Sequence, residues 1–291
     1  MVIVISGPTG TGKSALALSL CEKIGGEIIN CDAFQVYEGL KIATAYPSEE
    51  SFKRIKHHLY GFVPLDESYS IGLYQKDCRK KIEEVLSRGK VPVLVGGSGL
   101  YIRAALYDYD LNVDTSSIDL SGFDSYSNEE LHRYLASLDK NESEKIHPNN
   151  RRRVLRAIAI CLASKENKTD FNSHQSHTPI YETKFFWLSK PREELYPLVE
   201  KRVDEMFDSG LLEETIPLIQ KYGRECNAFQ AIGVKELFPY IDGEIGLEQV
   251  KKEIKIHTRQ YIKRQETFLR HQFDMIEVKD VEEIYSVLRN E

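Results

Sequence analysis

Apolar runs alternate with amphipathic stretches over the first hundred residues. Val2 to Ile5 is a short β-branched run, as expected of a strand buried on both faces, and Glu27 to Cys31 and Val91 to Val95 are two further predicted strands. Lys13 to Ile24 is apolar nearly all round, and Tyr74 to Arg88 also has the character of a helix. Since strands alternate with helices, a parallel sheet is predicted.

The pattern changes near residue 110. Residues 110–128 and 164–179 are polar and lack apolar periodicity, whereas Leu131 to Leu138 and Arg151 to Leu162 are predicted helices. Lys184 to Leu188 predicts a return to the core sheet. We therefore expect a core domain, residues 1–110 and 180–291, and a mostly helical insertion domain, residues 111–179.

The last third of the chain is predicted to be mostly helical. The apolar residues from Leu195 to Phe207 follow one helix face. Further helices are expected at Ala228 to Tyr240 and at Leu247 to Gln272, and a final strand at Met275 to Val278.

Composition narrows the class of protein. The chain has 291 residues, of which 41% are hydrophobic, an ordinary value for a globular protein. It contains neither a run of about 18 apolar residues nor a signal-like N-terminus, so we expect a cytoplasmic protein with no membrane partner. Its five cysteines are scattered without a CxxC pair, which disfavours a disulfide framework or a zinc site.

The charge is distributed unevenly. The net charge is −6, but Lys251 to His271 carries seven Lys or Arg and two Glu, a local charge of +5. Subtracting this segment leaves −11 for the rest of the chain. The chain is thus an acidic body that carries a basic helix, and this asymmetry requires an explanation.

Residues 7–14 match the phosphate-binding pattern GxxxxGK[ST]. They are Gly7, Pro8, Thr9, Gly10, Thr11, Gly12, Lys13 and Ser14. The glycines allow backbone N–H groups to converge on an anion, the following helix directs its positive end there, and the Ser14 hydroxyl can bind Mg²⁺. Because the motif follows a predicted strand and opens a predicted helix, we expect an α/β fold with a P-loop NTPase-like parallel sheet core, a helical insertion and a helical C-terminal part.

Two further polar residues follow predicted strands. Asp32 comes after the second strand, and Ser98 follows the third within Gly96-Gly97-Ser98-Gly99. Ligands of open α/β sheets bind at the carboxyl ends of strands, so Lys13, Asp32 and Ser98 are expected around one ligand. The third strand lacks the terminal acid that organises Mg²⁺ in many ATPases.

Several segments together resemble one family, the tRNA dimethylallyltransferases, also called tRNA isopentenyltransferases. The resemblance covers nearly the whole chain, and the order and spacing of its segments make it specific. The matching segments are Gly7 to Ser14, Asp32 to Tyr37, Thr44-Ala45 with Pro47, His57 to Leu59, Val95 to Tyr101, Asn150 to Arg153 with Arg156-Ala157, Gln230 to Glu236, and Thr258 to Gln265. The chain departs from the usual family residues at Ala33, Ser98, Val234 and Phe268.

The resemblance implies transfer of a dimethylallyl group from dimethylallyl diphosphate to N6 of the adenosine on the 3′ side of the anticodon. The phosphate loop would hold the diphosphate, with Mg²⁺ on Ser14. Lys13 and Ser98 would stabilise the leaving group, Asp32 would act as general base, and Gln35 would hydrogen-bond the adenine. The other partner is the tRNA anticodon stem-loop, and the enzyme is expected to be a monomer.

The resemblance and the basic segments together indicate residues that contact tRNA. They are Asp32, Ala33, Phe34, Gln35, Ser98, Arg152, Arg153, Val154, Leu155, Arg156, Gln230, Ala231, Ile232, Gly233, Val234, Lys235, Lys263, Arg264, Gln265, Thr267, Phe268 and Arg270.

Three alternatives remain open from the sequence. An adenylate isopentenyltransferase would share Lys13, Asp32 and Ser98 but would have little use for an insertion with an Arg cluster or for a basic terminal helix. A small-molecule kinase could use ATP in the same loop, with Arg151 to Arg156 as a phosphate-binding lid. An RNA-binding protein with an inactive nucleotide site is disfavoured by the intact Lys13 and Asp32.

Overall fold

The computed structural model describes residues 1–108, 111, 115, 118–164 and 178–289. The chain divides into two compact units, one formed by Met1–Leu106 with Tyr181–Glu291 and the other by Tyr107–Ile180. Parts of the polar segments at residues 110–128 and 164–179 lie outside the described residues.

A parallel sheet forms the centre of the first unit. Its strand order is β3-β2-β4-β1-β5-β6, and all neighbouring strands run parallel. The strands are β1 Val2–Ser6, β2 Gly26–Asn30, β3 His57–His58, β4 Val91–Val95, β5 Thr183–Leu188 and β6 Ile276–Val278. Every residue of β1 and β2 is buried, as a parallel sheet covered on both faces requires. The predicted fold class is therefore confirmed.

The structure contains helices in addition to those that the sequence predicts. They are α1 Lys13–Ile24, α2 Glu49–Arg54, α3 Ile71–Ser87, α4 Gly99–Leu106, α5 Asn128–Leu138, α6 Lys140–Lys145, α7 Arg151–Ser164, α8 Arg192–Asp208, α9 Leu211–Tyr222, α10 Phe238–Ile241, α11 Leu247–Gln272 and α12 Val281–Arg289. Local sequence sets several ends. Gly25 ends α1 in a left-handed conformation with φ of 69°, and the Ser70 hydroxyl caps α3 by accepting from the Leu73 N–H at 3.2 Å.

The helix predicted over Ala228 to Tyr240 was wrong. Two short 3₁₀ turns, Asn227–Gln230 and Lys235–Leu237, precede α10. Ala231 between them is extended, with φ of −59° and ψ of 142°, and Gly233 is left-handed with φ of +96°. Neither conformation can continue an α-helix. The apolar residues of this segment are therefore buried although their backbone forms an irregular loop.

The second unit has a core of its own. Leu131 and Leu135 of α5 pack with Ile146 and with Val154 and Ile158 of α7. A capping box begins α5, because Ser127 accepts from the Glu130 N–H and Glu130 accepts from the Ser127 N–H. In the part of the chain that the structure describes, no helix is both long and apolar enough to cross a membrane.

Gly7 and Gly12 offer a matched test of how tightly the phosphate loop is held to the sheet. A Cβ on Gly7 would lie 2.2 Å from the Leu188 carbonyl oxygen, whereas a Cβ on Gly12 would meet nothing within 4 Å. Both glycines have positive φ. We expect Gly7→Ala to lower the free energy of unfolding by about 3 kcal/mol, from strain plus overlap. Gly12→Ala should cost about 1–2 kcal/mol, from backbone strain alone. Urea unfolding measures both values, and equal losses would contradict the packing argument.

Candidate active site

The phosphate loop encloses the Lys13 ammonium. Lys13 Nζ donates to the Pro8 carbonyl at 2.6 Å, and the Thr11 hydroxyl donates to the same carbonyl at 2.9 Å. Gly10 and Gly12 have φ of 85° and 98°, which turn the loop back toward α1. The loop therefore presents backbone N–H groups, a helix N-terminus and a full positive charge at one place, as an anion site requires.

The ends of β2 and β4 are joined beside this loop. The Ser98 N–H donates to the Cys31 carbonyl at 3.2 Å, and the Ser98 hydroxyl accepts from the Ala33 N–H at 3.2 Å. A Cβ on Gly96 would lie 2.3 Å from the Cys31 oxygen, so only glycine allows this approach. Ser98 thus holds the backbone beside Asp32.

One carboxylate oxygen of Asp32 accepts hydrogen bonds from the protein, and the other is available to a ligand. Its Oδ1 accepts from the N–H groups of Phe34 at 2.9 Å and Gln35 at 3.4 Å. Asn30 fixes the backbone, since its Oδ1 accepts from the Asp32 N–H at 2.8 Å and its Nδ2 donates to the Asp32 carbonyl at 3.1 Å. No described residue donates a hydrogen bond to the Asp32 Oδ2 atom. Burial raises the pKa of Asp32, although the two N–H groups, Lys13 and Arg202 oppose the rise.

Two positively charged side chains, Lys13 and Arg202, interact electrostatically with Asp32. Burial lowers the pKa of Lys13 to about 8, with Asp32 opposing the shift and Arg202 adding to it. Burial also lowers the pKa of Arg202, and Asp32 is the largest opposing influence. Among the described residues, Arg202 has neither a hydrogen-bond partner nor an ion-pair partner within 4.0 Å. Two positive charges with one carboxylate leave an excess of positive charge that suits an anionic ligand.

A cavity of about 240 Å³ lies at this place, and Asp32 and Arg202 line it. One part of its lining is polar and another is apolar. The residues that line it are Thr9, Asp32, Phe34, Ala43, Thr44, Val199, Arg202, Val203, Met206, Gln230, Ala231, Ile232, Lys235, Ile254, Thr258, Tyr261 and Arg264. The cavity is therefore a chamber with a polar part and an apolar part, and it reaches the phosphate loop at Thr9.

Gln265 links the phosphate loop to the end of β4. Its Oε1 accepts from the Thr9 N–H at 3.1 Å, and its Nε2 donates to the Gly97 carbonyl at 3.1 Å. The side chain is buried, so both bonds are shielded from water. Tyr261, one turn earlier on α11, lies near Ser98 and Gln265; burial raises the pKa of its hydroxyl to about 12. Gln265 therefore orients the loop.

Gln35 is also engaged with the protein. Its Nε2 donates to the carbonyls of Thr44 at 2.8 Å and Ala45 at 3.0 Å. Glu214 supports the same turn by accepting from the N–H groups of Ile42 at 2.7 Å and Ala43 at 2.9 Å. The adenine-reading role predicted for Gln35 can use only its Oε1 atom while these bonds persist.

The other residues predicted to contact tRNA fall into two groups, those with buried side chains and those with exposed or partly exposed side chains. Val154 and Val234 are fully buried and act as packing residues, and Phe268 packs against Gly99. Gly233 and Ala231 shape the turn beside the cavity. Exposed or partly exposed side chains are Arg152, Arg153, Leu155, Arg156, Gln230, Ile232, Lys235, Lys263, Arg264, Thr267 and Arg270. Of these, Gln230, Ile232, Lys235 and Arg264 line the cavity.

The donor atoms near the loop fit a magnesium ion. The Ser14 hydroxyl, at the exposed start of α1, has no hydrogen-bond partner among the described residues. No cluster of three or more His, Cys, Asp or Glu suited to a metal occurs in the described part of the chain. Because Mg²⁺ in phosphate sites keeps several waters and is bound largely by phosphate oxygens, the Ser14 hydroxyl would suit it as a protein ligand beside a diphosphate.

Sequence reasoning missed Arg202. It lies seven residues after Leu195 and four before Met206, on the apolar face of α8. A charged residue within an apolar stripe is a signal that the sequence contains, but the neighbouring Lys201 and Glu205 make the segment resemble an ordinary solvated helix.

We expect Arg202 to contribute to anion binding. Arg202→Ala should weaken binding of inorganic diphosphate, with Mg²⁺ present, by at least about tenfold, because a charge-assisted hydrogen bond is lost. Lys201→Ala is the matched control, since the Lys201 side chain is 76% exposed on the same helix. Titration calorimetry measures both. If Arg202→Ala binds diphosphate as tightly as Lys201→Ala, Arg202 has no role in binding it.

Comparisons with known proteins agree with this geometry. A sequence profile of IPP transferases matches residues 35–272, and one of isopentenyl transferases matches residues 1–66. The chain is 40% identical to the tRNA dimethylallyltransferase of Anoxybacillus flavithermus over 94% of this chain and 90% of the relative. It is 39% identical to the enzyme of the same name from Staphylococcus epidermidis over 94% and 85%.

Two solved structures are similar over nearly the whole chain. A tRNA delta(2)-isopentenylpyrophosphate transferase from Staphylococcus epidermidis has 37% identity and a TM-score of 0.74, covering 99% of this chain and 98% of the other. A eukaryotic dimethylallyltransferase described as acting on tRNA has 30% identity and a TM-score of 0.84, covering 97% and 74%. With its phosphate loop, its Asp32 and its cavity in one unit, the chain belongs to the IPP transferase family, the family of the tRNA dimethylallyltransferases.

Proposed function

We propose that this protein transfers a dimethylallyl group from dimethylallyl diphosphate to N6 of the adenosine on the 3′ side of the anticodon in tRNA. The observation that carries the proposal is the juxtaposition of an available carboxylate oxygen on Asp32 with the cationic phosphate loop and Arg202 at one cavity. Family membership supports this activity over others that a phosphate loop serves.

The loop accounts for departure of the diphosphate. As the bond between the allylic carbon and the diphosphate oxygen breaks, its electron pair moves to that oxygen. Loop N–H groups, Lys13 and Arg202 would lie beside the oxygen on which this charge develops and would stabilise it. A Mg²⁺ ion held by Ser14 and the diphosphate would supply further charge neutralisation.

Asp32 accounts for the attack by adenine. The exocyclic amine is a weak nucleophile, because its lone pair is delocalised into the ring. The N6 lone pair forms the new bond to carbon, and one N6 proton passes to Oδ2 of Asp32. The raised pKa of Asp32 makes its carboxylate a stronger base than an ordinary aspartate.

Basic side chains on α11 support tRNA as the acceptor. Lys251, Lys255 and Arg259 of this helix form ion pairs with acidic residues of the protein. Exposed Lys263, Arg264 and Arg270 have no ion-pair partner among the described residues. Their charges are therefore available to RNA phosphates.

A second exposed basic cluster lies on α7 of the other unit. It consists of Arg152, Arg153 and Arg156, whereas Arg151 donates to the carbonyls of Phe123 and Tyr126 and is committed to its own unit. We propose that both clusters bind the anticodon stem-loop and that the target adenosine is flipped out of its stack to reach Asp32. Every residue that lines the cavity lies in the first unit, and we propose that the enzyme acts as a monomer.

Transfer of label from dimethylallyl diphosphate, with Mg²⁺, tests the proposal directly. We expect label on unmodified tRNA and none on AMP, because the two basic clusters have no use with a free nucleotide. Asp32→Asn should slow transfer by about 10²–10⁴-fold, since it removes the base and preserves the shape of the side chain. Label on AMP alone would identify a free-nucleotide enzyme. Label on neither, with ATP consumed, would identify a kinase.

The pH dependence follows from the two shifted groups. Asp32 must be ionised and its pKa is raised, so kcat/KM should fall on the acid side at a pH above the ordinary aspartate value, about 3.9. Lys13 must be protonated and its pKa is about 8, so kcat/KM should also fall above about pH 8. Because bound diphosphate favours the charged lysine, kcat should retain its value to higher pH.

Lys13→Arg provides the control for the alkaline limb, since arginine stays protonated throughout. In that variant the alkaline decline of kcat/KM should move beyond pH 9. An unchanged decline near pH 8 would assign the limb to another group.

A further inference from the structure

The apolar face of α8 starts on the phosphate loop. A Cβ on Gly10 would lie 2.7 Å from Cγ2 of Val199 and 3.4 Å from Cδ1 of Leu195. These side chains therefore press against the tip of the loop. The helix face that follows them therefore begins at the loop that would hold a diphosphate.

The same face continues along the cavity. Val203 follows Val199 by four residues and Met206 follows it by seven, so the three side chains form one stripe at helical spacing. All three line the cavity, and Ile254 of α11 and Ala231 line it as well. Val203 and Met206 are only 2% and 9% exposed, so the stripe is a buried apolar wall.

Met206 ends this wall against a rigid turn. Its Cε atom lies 3.1 Å from the position that a Cβ on Gly233 would take. Gly233 is held in its left-handed conformation by a hydrogen bond from its N–H to Glu236 Oε2 at 2.8 Å. Glu236 is itself buried and also pairs with His257 Nδ1 at 2.7 Å. The turn behind Met206 is thus fixed, and the wall cannot lengthen without moving it.

We infer that Val203 and Met206 set the chain length of the prenyl donor, admitting a five-carbon dimethylallyl group and excluding a ten-carbon geranyl group. This inference rests on the proposed function. The reacting carbon must lie between the loop and Asp32, so the remainder of the prenyl group lies on the stripe that begins at Val199. A second isoprene unit would have to occupy the space of the Met206 side chain.

Relative use of two donors tests the inference. For each variant, kcat/KM is measured with dimethylallyl diphosphate and with geranyl diphosphate on the same tRNA. Met206→Ala should raise the ratio of geranyl to dimethylallyl transfer by at least about tenfold, since a change of a few carbons in an apolar pocket has an effect of this order. Val203→Ala should raise the ratio less, because it widens the cavity at its side without enlarging the far end, which Met206 closes.

Two further variants serve as controls. Leu198→Ala removes a side chain that is 45% exposed on the same helix and should leave the ratio unchanged. Met206→Leu keeps most of the volume and should also keep the wild-type ratio, which separates a change of space from a loss of folding.

The outcomes separate this inference from the proposed function. If the unchanged protein transfers dimethylallyl but the ratio stays constant in both Met206→Ala and Val203→Ala, the chain-length role is overturned. A raised KM for tRNA with a constant ratio would likewise overturn it, assigning the wall to the adenine. Absence of dimethylallyl transfer by the unchanged protein would overturn the proposed function and this inference together.

Discussion

The close approach of backbone at the carboxyl ends of the strands is the constraint on which the site depends. Gly7 lies against the Leu188 carbonyl, Gly96 against the Cys31 carbonyl, and Gly97 against the Gln265 amide. Any side chain at these positions would separate the loop from the strand ends. Because the strands approach so closely, the lysine of one loop and the carboxylate of another come to share one electrostatic field, which neither strand could provide alone.

Burying the charged groups that share this field destabilises the fold but favours catalysis. Burial disfavours the charged form of Lys13, Arg202 and Asp32. The attraction between Asp32 and the two cations offsets part of this cost, and the N–H groups of Phe34 and Gln35 offset a further part for Asp32. The rest of the unit holds them in place, with Asn30 fixing Asp32 and Gln265 fixing the loop. Under the proposed function, a bound diphosphate would offset the excess of positive charge, so part of the energy of binding it would be available to catalysis.

The sequence predicts those parts of the protein that local chemistry determines. The loop of residues 7–14, helix α1 and strand β4 lie where the pattern places them, because glycine positions and apolar runs specify them without help from distant residues. The prediction of a helix over Ala228 to Tyr240 is wrong because Glu236, itself hydrogen-bonded to His257, accepts from the Gly233 N–H, and spacing alone does not reveal these contacts. Gln265 was assigned to RNA for a similar reason. Its motif marks it as functional, but only the fold shows that both ends of its amide face the protein.

Helix α11 explains why an acidic protein carries a basic segment. Along one face, Tyr261, Gln265 and Leu269 are turned toward the protein, and Gln265 bonds directly to the phosphate loop and the end of β4. Along the other, Lys263 and Arg270 are exposed without acidic partners among the described residues, while Lys251, Lys255 and Arg259 earlier in the helix form ion pairs within the protein. The helix is therefore both the wall of the catalytic chamber and the carrier of its unpaired positive charge. Under the proposed function, an RNA that bound this charge would contact the same helix that bonds to the phosphate loop, so one helix would align the two substrates.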